Sequence, residues 1–483
     1  MRLSTKLLFC LTAAMPLQAH AAVSLIAMGT LATPGNHDLS GLDYDLESGL
    51  QADFLGGVGS GLAYAGGNTF LGLPDRGPNA TPFPNGDTID NTVSWIPRFQ
   101  TMSLVLTPSA PGAALPYQLD TTLKDTTLLW SADPLIYGDG SAYVDGIAGD
   151  WINDTPGKYY FSGRSDNYGA GNSLNPAFAR LDPEGIRVSA DGKSIFVSDE
   201  YGPYVRQFDR ETGEVIRTFE LPDHLAIDNL FPTVNEERDF ANNQKGRFTN
   251  SGMEGLAITP DGKTLVGAIQ GALLQDRQEE PNLLRLVKID IETGETKEYA
   301  YIANSGSGIG ISEIIAINDH QFLVDERDGT GLGAGSDAVM KHFYLIDIDG
   351  ATPIPEGVTG SAAAALAVQK DPTPFLDLVS ALTAAGISAD QIPSKIEGMS
   401  FGQDVMVDGV LTHTLYISDD NDFVPETSGP NHFYVFGFTD EDLPGYVPQQ
   451  LPVPEPASWA MMIAGFAFVG AALRRRAIRV RFA

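Results

Sequence analysis

Short apolar runs alternate with tight polar turns through most of this chain, and the runs are four to seven residues long, the length of strands rather than helices. The clearest unit is Asp182-Pro183-Glu184-Gly185-Ile186-Arg187-Val188, a turn at Ala190-Asp191-Gly192-Lys193, then Ser194-Ile195-Phe196-Val197-Ser198-Asp199-Glu200. Asp-Gly between apolar runs is a strong hairpin signal, because a residue at positive φ fits the tight turn. The unit recurs. Gly252-Met253-Glu254-Gly255-Leu256-Ala257-Ile258 turns at Asp261-Gly262 into Thr264–Gln270. Ile311-Ser312-Glu313-Ile314-Ile315-Ala316-Ile317 turns at Asn318-Asp319 into Gln321–Arg327. Lys395-Ile396-Glu397-Gly398-Met399-Ser400-Phe401 reaches Leu415–Asp420 across a longer link. A weaker first copy, Leu39-Ser40-Gly41-Leu42-Asp43-Tyr44, leads to Asn68–Arg76.

Each unit continues into a second hairpin. Arg206–Asp209 and Glu214–Phe219 flank Glu211-Thr212-Gly213, and Leu286–Asp290 and Thr296–Tyr299 flank Glu292-Thr293-Gly294. Four strands per unit is the blade of a β-propeller, so an all-β propeller of about five to six four-stranded blades is predicted. Residues 98–180 are expected to supply further strands and room for a sixth blade. The strand near Val23–Met28 would close the ring by joining the last blade. Residues 359–390, rich in alanine and leucine, predict a small helical insertion.

The two ends break this pattern. Arg2 and Lys6, the apolar run Leu7–Leu17 and the small-residue site Ala19-His20-Ala21 predict a signal peptide over 1–21. It contains the only cysteine, Cys10, so the remaining chain has no thiol or disulfide. The propeller domain is expected over 22–440, a proline-rich, semi-rigid spacer over 441–457 and a membrane or sorting segment over 458–483. In the last, Met461–Leu473 falls short of the ~20 residues that span a bilayer comfortably. Arg474, Arg475, Arg476, Arg479 and Arg481 follow it and place the tail on the cytoplasmic side. Val453-Pro454-Glu455-Pro456 leading into this segment resembles the PEP-CTERM sorting signal. That resemblance implies an exosortase-type sorting machinery as partner and a transient membrane anchor, with the working domain in the periplasm, cell envelope or extracellular space. Membrane contact is expected through this segment alone.

Charge then narrows the function. The chain's formal net charge is −32, and seven of its 30 basic residues lie in the two ends while all 62 acidic residues lie between them. Such a field repels nucleic acid and attracts cations, so nucleic-acid binding is not expected. The recurring Glu184, Glu254, Glu313 and Glu397 would converge on the channel, because the first strand of each blade lines it. Converging carboxylates repel and raise one another's pKa unless something neutralises them. A divalent cation, Ca²⁺ first among them, would do so with oxygen ligands; facing Arg76, Arg206, Arg327 and Lys395 are the other solution. The other reading is architectural, each glutamate capping backbone amides. A second set ends the second strands: Asp75-Arg76, Asp199-Glu200, Gln270, Asp325-Glu326-Arg327 and Asp419-Asp420-Asn421. The candidate metal ligands are Glu184, Glu254, Glu313, Glu397, Asp75, Asp325 and Asp419. The candidate catalytic groups are those four glutamates with Asp199, Glu200, Arg327 and Lys395. Metal-assisted attack of water on an ester suits this set, whereas Asx turns and a solvated rim are the plainer reading of the strand ends. No serine nucleophile elbow is expected, since Ser305-Gly306-Ser307-Gly308 has the wrong spacing. The histidines are scattered singly, which disfavours a histidine zinc site.

Asp182-Pro183-Glu184-Gly185, Ser198-Asp199-Glu200-Tyr201-Gly202-Pro203, Gly252-Met253-Glu254-Gly255-Leu256 and Lys395-Ile396-Glu397-Gly398-Met399 together resemble the phytase-like domain family, also described as having esterase-like activity of phytase. The resemblance covers roughly residues 37–437. It implies a secreted β-propeller that hydrolyses a small-molecule phosphate or carboxylate ester. The Asp-Ala-Ala-Asp-Asp calcium motif of β-propeller phytases is absent. Two functions follow as expectations: a metal-dependent hydrolase acting outside the cytoplasmic membrane, or a non-catalytic propeller that binds a ligand, polysaccharide or partner protein.

Overall fold

The computed structural model describes residues 23–79, 92–137, 154–165, 168, 171–231, 234–306 and 308–451. The expected signal peptide, the sorting segment and residues 452–457 of the spacer lie outside the described residues.

Among the described residues, five antiparallel sheets of four or more strands build the body of the fold. The first runs Gly61–Tyr64, Thr69–Leu73, Arg98–Pro108, Tyr117–Leu128, and the second Pro183–Val188, Ser194–Asp199, Tyr204–Asp209, Val215–Glu220. The third runs Met253–Ile258, Thr264–Ile269, Leu283–Asp290, Thr296–Ile302. In the fourth, Gly310–Ala316, Gln321–Arg327 and Lys341–Asp347 are completed by the short strands Gln369–Lys370 and Leu376–Asp377. The fifth runs Ile396–Phe401, Val410–Asp419, Asn431–Phe438 and, from the start of the chain, Ser24–Leu31. The first-named strand of each sheet packs beside that of the next, and the series closes from fifth back to first. These strands therefore wall a central channel, and the fold is a β-propeller.

The core explains why the strands read as apolar runs rather than strict alternations. A separate hydrophobic cluster fills every gap between neighbouring sheets: first with second around Leu71, Ile186 and Phe208, second with third around Phe196 and Leu256, third with fourth around Leu286 and Phe322, fourth with fifth around Leu323 and Ile417, and fifth with first around Val435 and Phe70. Both faces of each central strand are thus covered, as in Pro183–Val188 and Met253–Ile258, where every residue is buried. Each Val, Leu, Ile or Phe so covered contributes about 1.5–3 kcal/mol.

Several expectations are corrected. The first unit begins at Ser60-Gly61-Leu62, not at Ser40-Gly41-Leu42, which forms no strand. Residues 98–180 give the outer strands of the first sheet and a small sheet of Trp130–Ser131, Asp154–Thr155 and Lys158–Tyr160. The 359–390 insertion holds the short helices Gly360–Ala364 and Leu378–Ala384, but also the two edge strands of the fourth sheet. The described part of the spacer does not stand away as a stalk. Val447 donates its amide to Ile317 and Gln449 its side chain to Val188, while Tyr446 stacks among Phe401, Phe438 and His413, so the segment straps the lower mouth of the channel. No helix among the described residues is long and apolar enough to cross a membrane.

Candidate metal and active site

The recurring Glu-Gly has a geometric cause. Beside each glutamate the innermost strand carries a β-bulge: Pro183 pairs Asp199 and Ile186 pairs Val197, Met253 pairs Ile269 and Gly255 pairs Ala268, Ile396 pairs Asp419 and Met399 pairs Ile417. A bulge adds one residue and re-aims its side chain. Glycine follows because neighbouring inner strands nearly touch there. A Cβ on Gly185 would lie 2.7 Å from the Leu256 amide nitrogen, and one on Gly398 2.7 Å from the Gly59 carbonyl.

The fourth sheet departs by one residue. Ile311 pairs Glu326 and Glu313 pairs Asp325, so Ser312 holds the bulge and Glu313 the glycine place. A slip of one reverses which side a residue faces. Two rings of equivalent positions result: Glu184, Glu254, Ser312 and Glu397 at the bulges with Ser60 just before Gly61, the first paired residue of its strand, and above them Asp75, Glu200, Gln270, Arg327 and Asp420 at the ends of the second strands.

Ion pairs link these rings. Arg76 donates to Asp182 from its backbone amide and its guanidinium, both at 2.9 Å, and lies 3.7 Å from Glu200. Lys395 reaches Asp420 at 2.8 Å and Asp422 at 2.6 Å. Arg327 pairs with Glu397. The cations do not balance the acids. Carboxylate oxygens of Asp75, Asp182 and Glu184 lie within 4.8 Å of one another, as do those of Asp75, Asp420 and Asp422. Asp75 belongs to both triads. Glu184 and Glu254 are each 6% exposed, and among the described residues neither side chain has a hydrogen-bond or ion-pair partner.

Electrostatics follow from that imbalance. Burial, and then the Asp420 carboxylate, hold Asp75 well above the usual carboxylate range against Arg76 and Lys395. Glu184 is pushed up by burial and by Glu254, and Glu254 by burial, Glu200 and Glu397. Burial and Asp182 raise Glu200 to about 8 despite Arg76. Lys395 is desolvated, yet Asp420, Glu397 and Asp422 lift it well above an ordinary lysine. An all-oxygen donor set with surplus negative charge and unpartnered carboxylates fits a hard divalent cation such as Ca²⁺.

Other expected residues lie elsewhere. Glu313 is no channel ligand: one oxygen accepts the amides of Leu256 and Ile314 at 3.0 and 2.9 Å, and the other lies 2.8 Å from Arg187. Burial still raises it to about 7. Asp199 turns away from the rings, accepting the amides of Asp182 and Tyr201, and burial lifts it to about 6 against Arg206. Asp419 also turns away, to the amide and ring of His432. Asp325 is fully buried with neither oxygen partnered, in the place that Ser198 and Ser418 hold in other sheets, and belongs to neither triad. Strand alternation explains these: in Asp199-Glu200 and Asp419-Asp420 only the second residue can face the channel. Asp182, Asp422 and Ser312 were not singled out, although Asp182 opens the best unit. The Gly-x-Ser-x-Gly string Gly398-Met399-Ser400-Phe401-Gly402 runs along the strand Ile396–Phe401 and one residue past it, not at a strand-to-helix turn. Its Ser400 hydroxyl accepts the Tyr64 amide and donates to the Phe401 carbonyl.

Fold and site together define a propeller with a carboxylate-rich channel mouth. The chain belongs to the family described as esterase-like activity of phytase, whose profile matches residues 54–423, and a PEP-CTERM protein-sorting motif matches 452–476. An uncharacterized secreted protein of Arthroderma benhamiae is 30% identical over 346 residues, which cover 61% of this chain and 64% of that relative's length. Among solved structures, a β-propeller domain of Myceliophteria thermophila is 14% identical, with 49% of this chain and 51% of that one covered and a TM-score of 0.22. A Trypanosoma rangeli sialidase in complex with the inhibitor DANA is 8% identical, with 87% and 49% covered and a TM-score of 0.31. Likenesses of that degree carry no argument about this chain.

Proposed function

We propose that this phytase-like chain is exported and is a metal-dependent hydrolase of phosphate or other esters, working outside the cytoplasmic membrane. The observation that carries the reading is Asp75, shared by two carboxylate triads beside the unpartnered Glu184. Asp75, Asp182, Glu184, Asp420 and Asp422 would hold the cation. When bound, it would polarise the ester oxygen and acidify a water molecule. Arg76 fixes Asp182 and Lys395 fixes Asp420 and Asp422, so the donor set is pre-arranged. Glu254, across the mouth and outside both triads, is the carboxyl left to carry a proton to or from the reacting oxygens. The PEP-CTERM motif and the secreted relative support export and a C-terminal anchor.

The test is hydrolysis of a panel of phosphate and carboxylate esters, phytate included, by the purified chain with Ca²⁺ and with chelator. Turnover that chelation abolishes supports the hydrolase. A folded, Ca²⁺-loaded protein that turns over none of them favours a binding module.

A further inference from the structure

The upper ring is acidic on one side only. Asp75, Glu200 and Asp420 stand on the first, second and fifth sheets, which are neighbours around the ring. At the equivalent place the third and fourth sheets carry Gln270 and Arg327, and at the bulge of the fourth Ser312 replaces the carboxylate. On this side the mouth opens into a cleft of about 510 Å³, within the usual size of a small-molecule site. Gln270, Ser312, Ser251 and Asn282 line it, Arg327 and Lys395 stand at its inner end, and no aspartate or glutamate is among the described residues that border it. In so acidic a chain that composition is selective. The buried Arg327 Nε has no hydrogen-bond partner, and Lys395 touches Asp420 and Asp422 of the proposed cation site.

Resting on the hydrolase reading, we propose that this cleft seats the substrate, a sugar or polyol monophosphate. Its phosphate would lie at the inner end, where Arg327 and Lys395 offer charge-assisted hydrogen bonds and its terminal oxygens can also reach the cation. Its hydroxylated body would lie along neutral amides and hydroxyls, which exchange hydrogen bonds with sugar hydroxyls. Further phosphates would fall on this neutral lining. The other lining cation, Arg277, is stacked 3.9 Å over the Phe248 ring. The surrounding acidic field repels any extra anionic group.

Calorimetric titration of the whole protein with glucose 6-phosphate, inorganic phosphate and phytate, in Ca²⁺ and in chelator, tests the assignment. Gln270→Glu is the informative variant, because it is isosteric and extends the acidic side of the ring onto the third sheet without touching either triad. The expected result is that glucose 6-phosphate binds more tightly than phosphate or phytate, and that Gln270→Glu weakens it at least tenfold while Ca²⁺ affinity is kept. Equal binding of inorganic phosphate, preference for phytate, or indifference to Gln270→Glu overturns the proposal. If Ca²⁺ does not bind, the hydrolase reading fails by itself. The cleft is then judged in chelator alone, where glucose 6-phosphate binding weakened by Gln270→Glu upholds it and no binding sinks it.

Discussion

Arg76 of the first sheet binds Asp182 of the second twice, through its amide and through its guanidinium. The pair joins two sheets at the channel mouth and gives Asp182 its counter-charge, while among the described residues its neighbours Asp75 and Glu184 have no ion-pair partner. An arginine held by Asp182, with Glu200 at 3.7 Å beyond it, leaves Asp75 and Glu184 available to a cation.

Glu184→Gln and Glu254→Gln should therefore separate binding from chemistry. The first is expected to weaken Ca²⁺ binding, read by calorimetry. The second should leave Ca²⁺ binding in place while turnover falls by ~10²–10⁴, the usual share of a general acid or base. Loss of Ca²⁺ binding in Glu254→Gln with Glu184→Gln unaffected would reverse the two roles.

Glu313→Gln should act on stability instead. It strips the counter-charge from Arg187, whose guanidinium also donates to carbonyls of Leu62 and Ile314 across the channel. Breaking a buried pair on one side costs about 3–5 kcal/mol. Urea unfolding in chelator measures it, and Ca²⁺ affinity of the folded variant should match the parent.

Stability should also depend on pH and metal together. Glu200, Glu313 and Asp199 titrate near 8, 7 and 6 in the folded chain, against ordinary values of 4.5, 4.5 and 3.8. The native state thus keeps protons that the unfolded chain releases. Without metal, stability is full below about pH 4 for these groups and is lost as pH rises through 6, 7 and 8. Urea midpoints in chelator should fall over that window. Ca²⁺ should restore more stability at the alkaline end and release protons on binding near neutrality, visible as a buffer-dependent enthalpy. Midpoints that rise with pH would contradict this.

The strap across the lower mouth makes a contrasting case. Tyr446→Ala removes a ring packed among Phe401, Phe438 and His413 and should cost about 1.5–3 kcal/mol in urea unfolding. Ca²⁺ binding at the opposite mouth should not change.

The fold was legible because its signals are local. Asp191-Gly192 and Asp261-Gly262 put glycine at φ 71° and 69°, where a tight hairpin turn needs it, and each brings two apolar runs together. The site was legible only in part. Sequence marks Asp199 and Glu200 alike, but pleating sends one to Arg206 and the other to the channel. Glu313 looks like a fourth copy of the repeated glutamate, yet a bulge placed one residue earlier converts it into a cap for two amides. Ser60 escaped notice because neither Ser60 nor Gly61 carries charge, and the Arg76–Asp182 bond spans sheets whose register only the assembled ring sets.

The fifth sheet combines Ser24–Leu31 with Asn431–Phe438, so the ring is sealed by the two ends of the propeller. During synthesis the opening strand has no partner until the last one emerges, and its unpaired edge is open to wrong pairings in the interval. Completion of the channel is thereby tied to completion of the domain: a chain stopped short of the last sheet lacks Asp420 and Lys395, and with them one wall of the mouth.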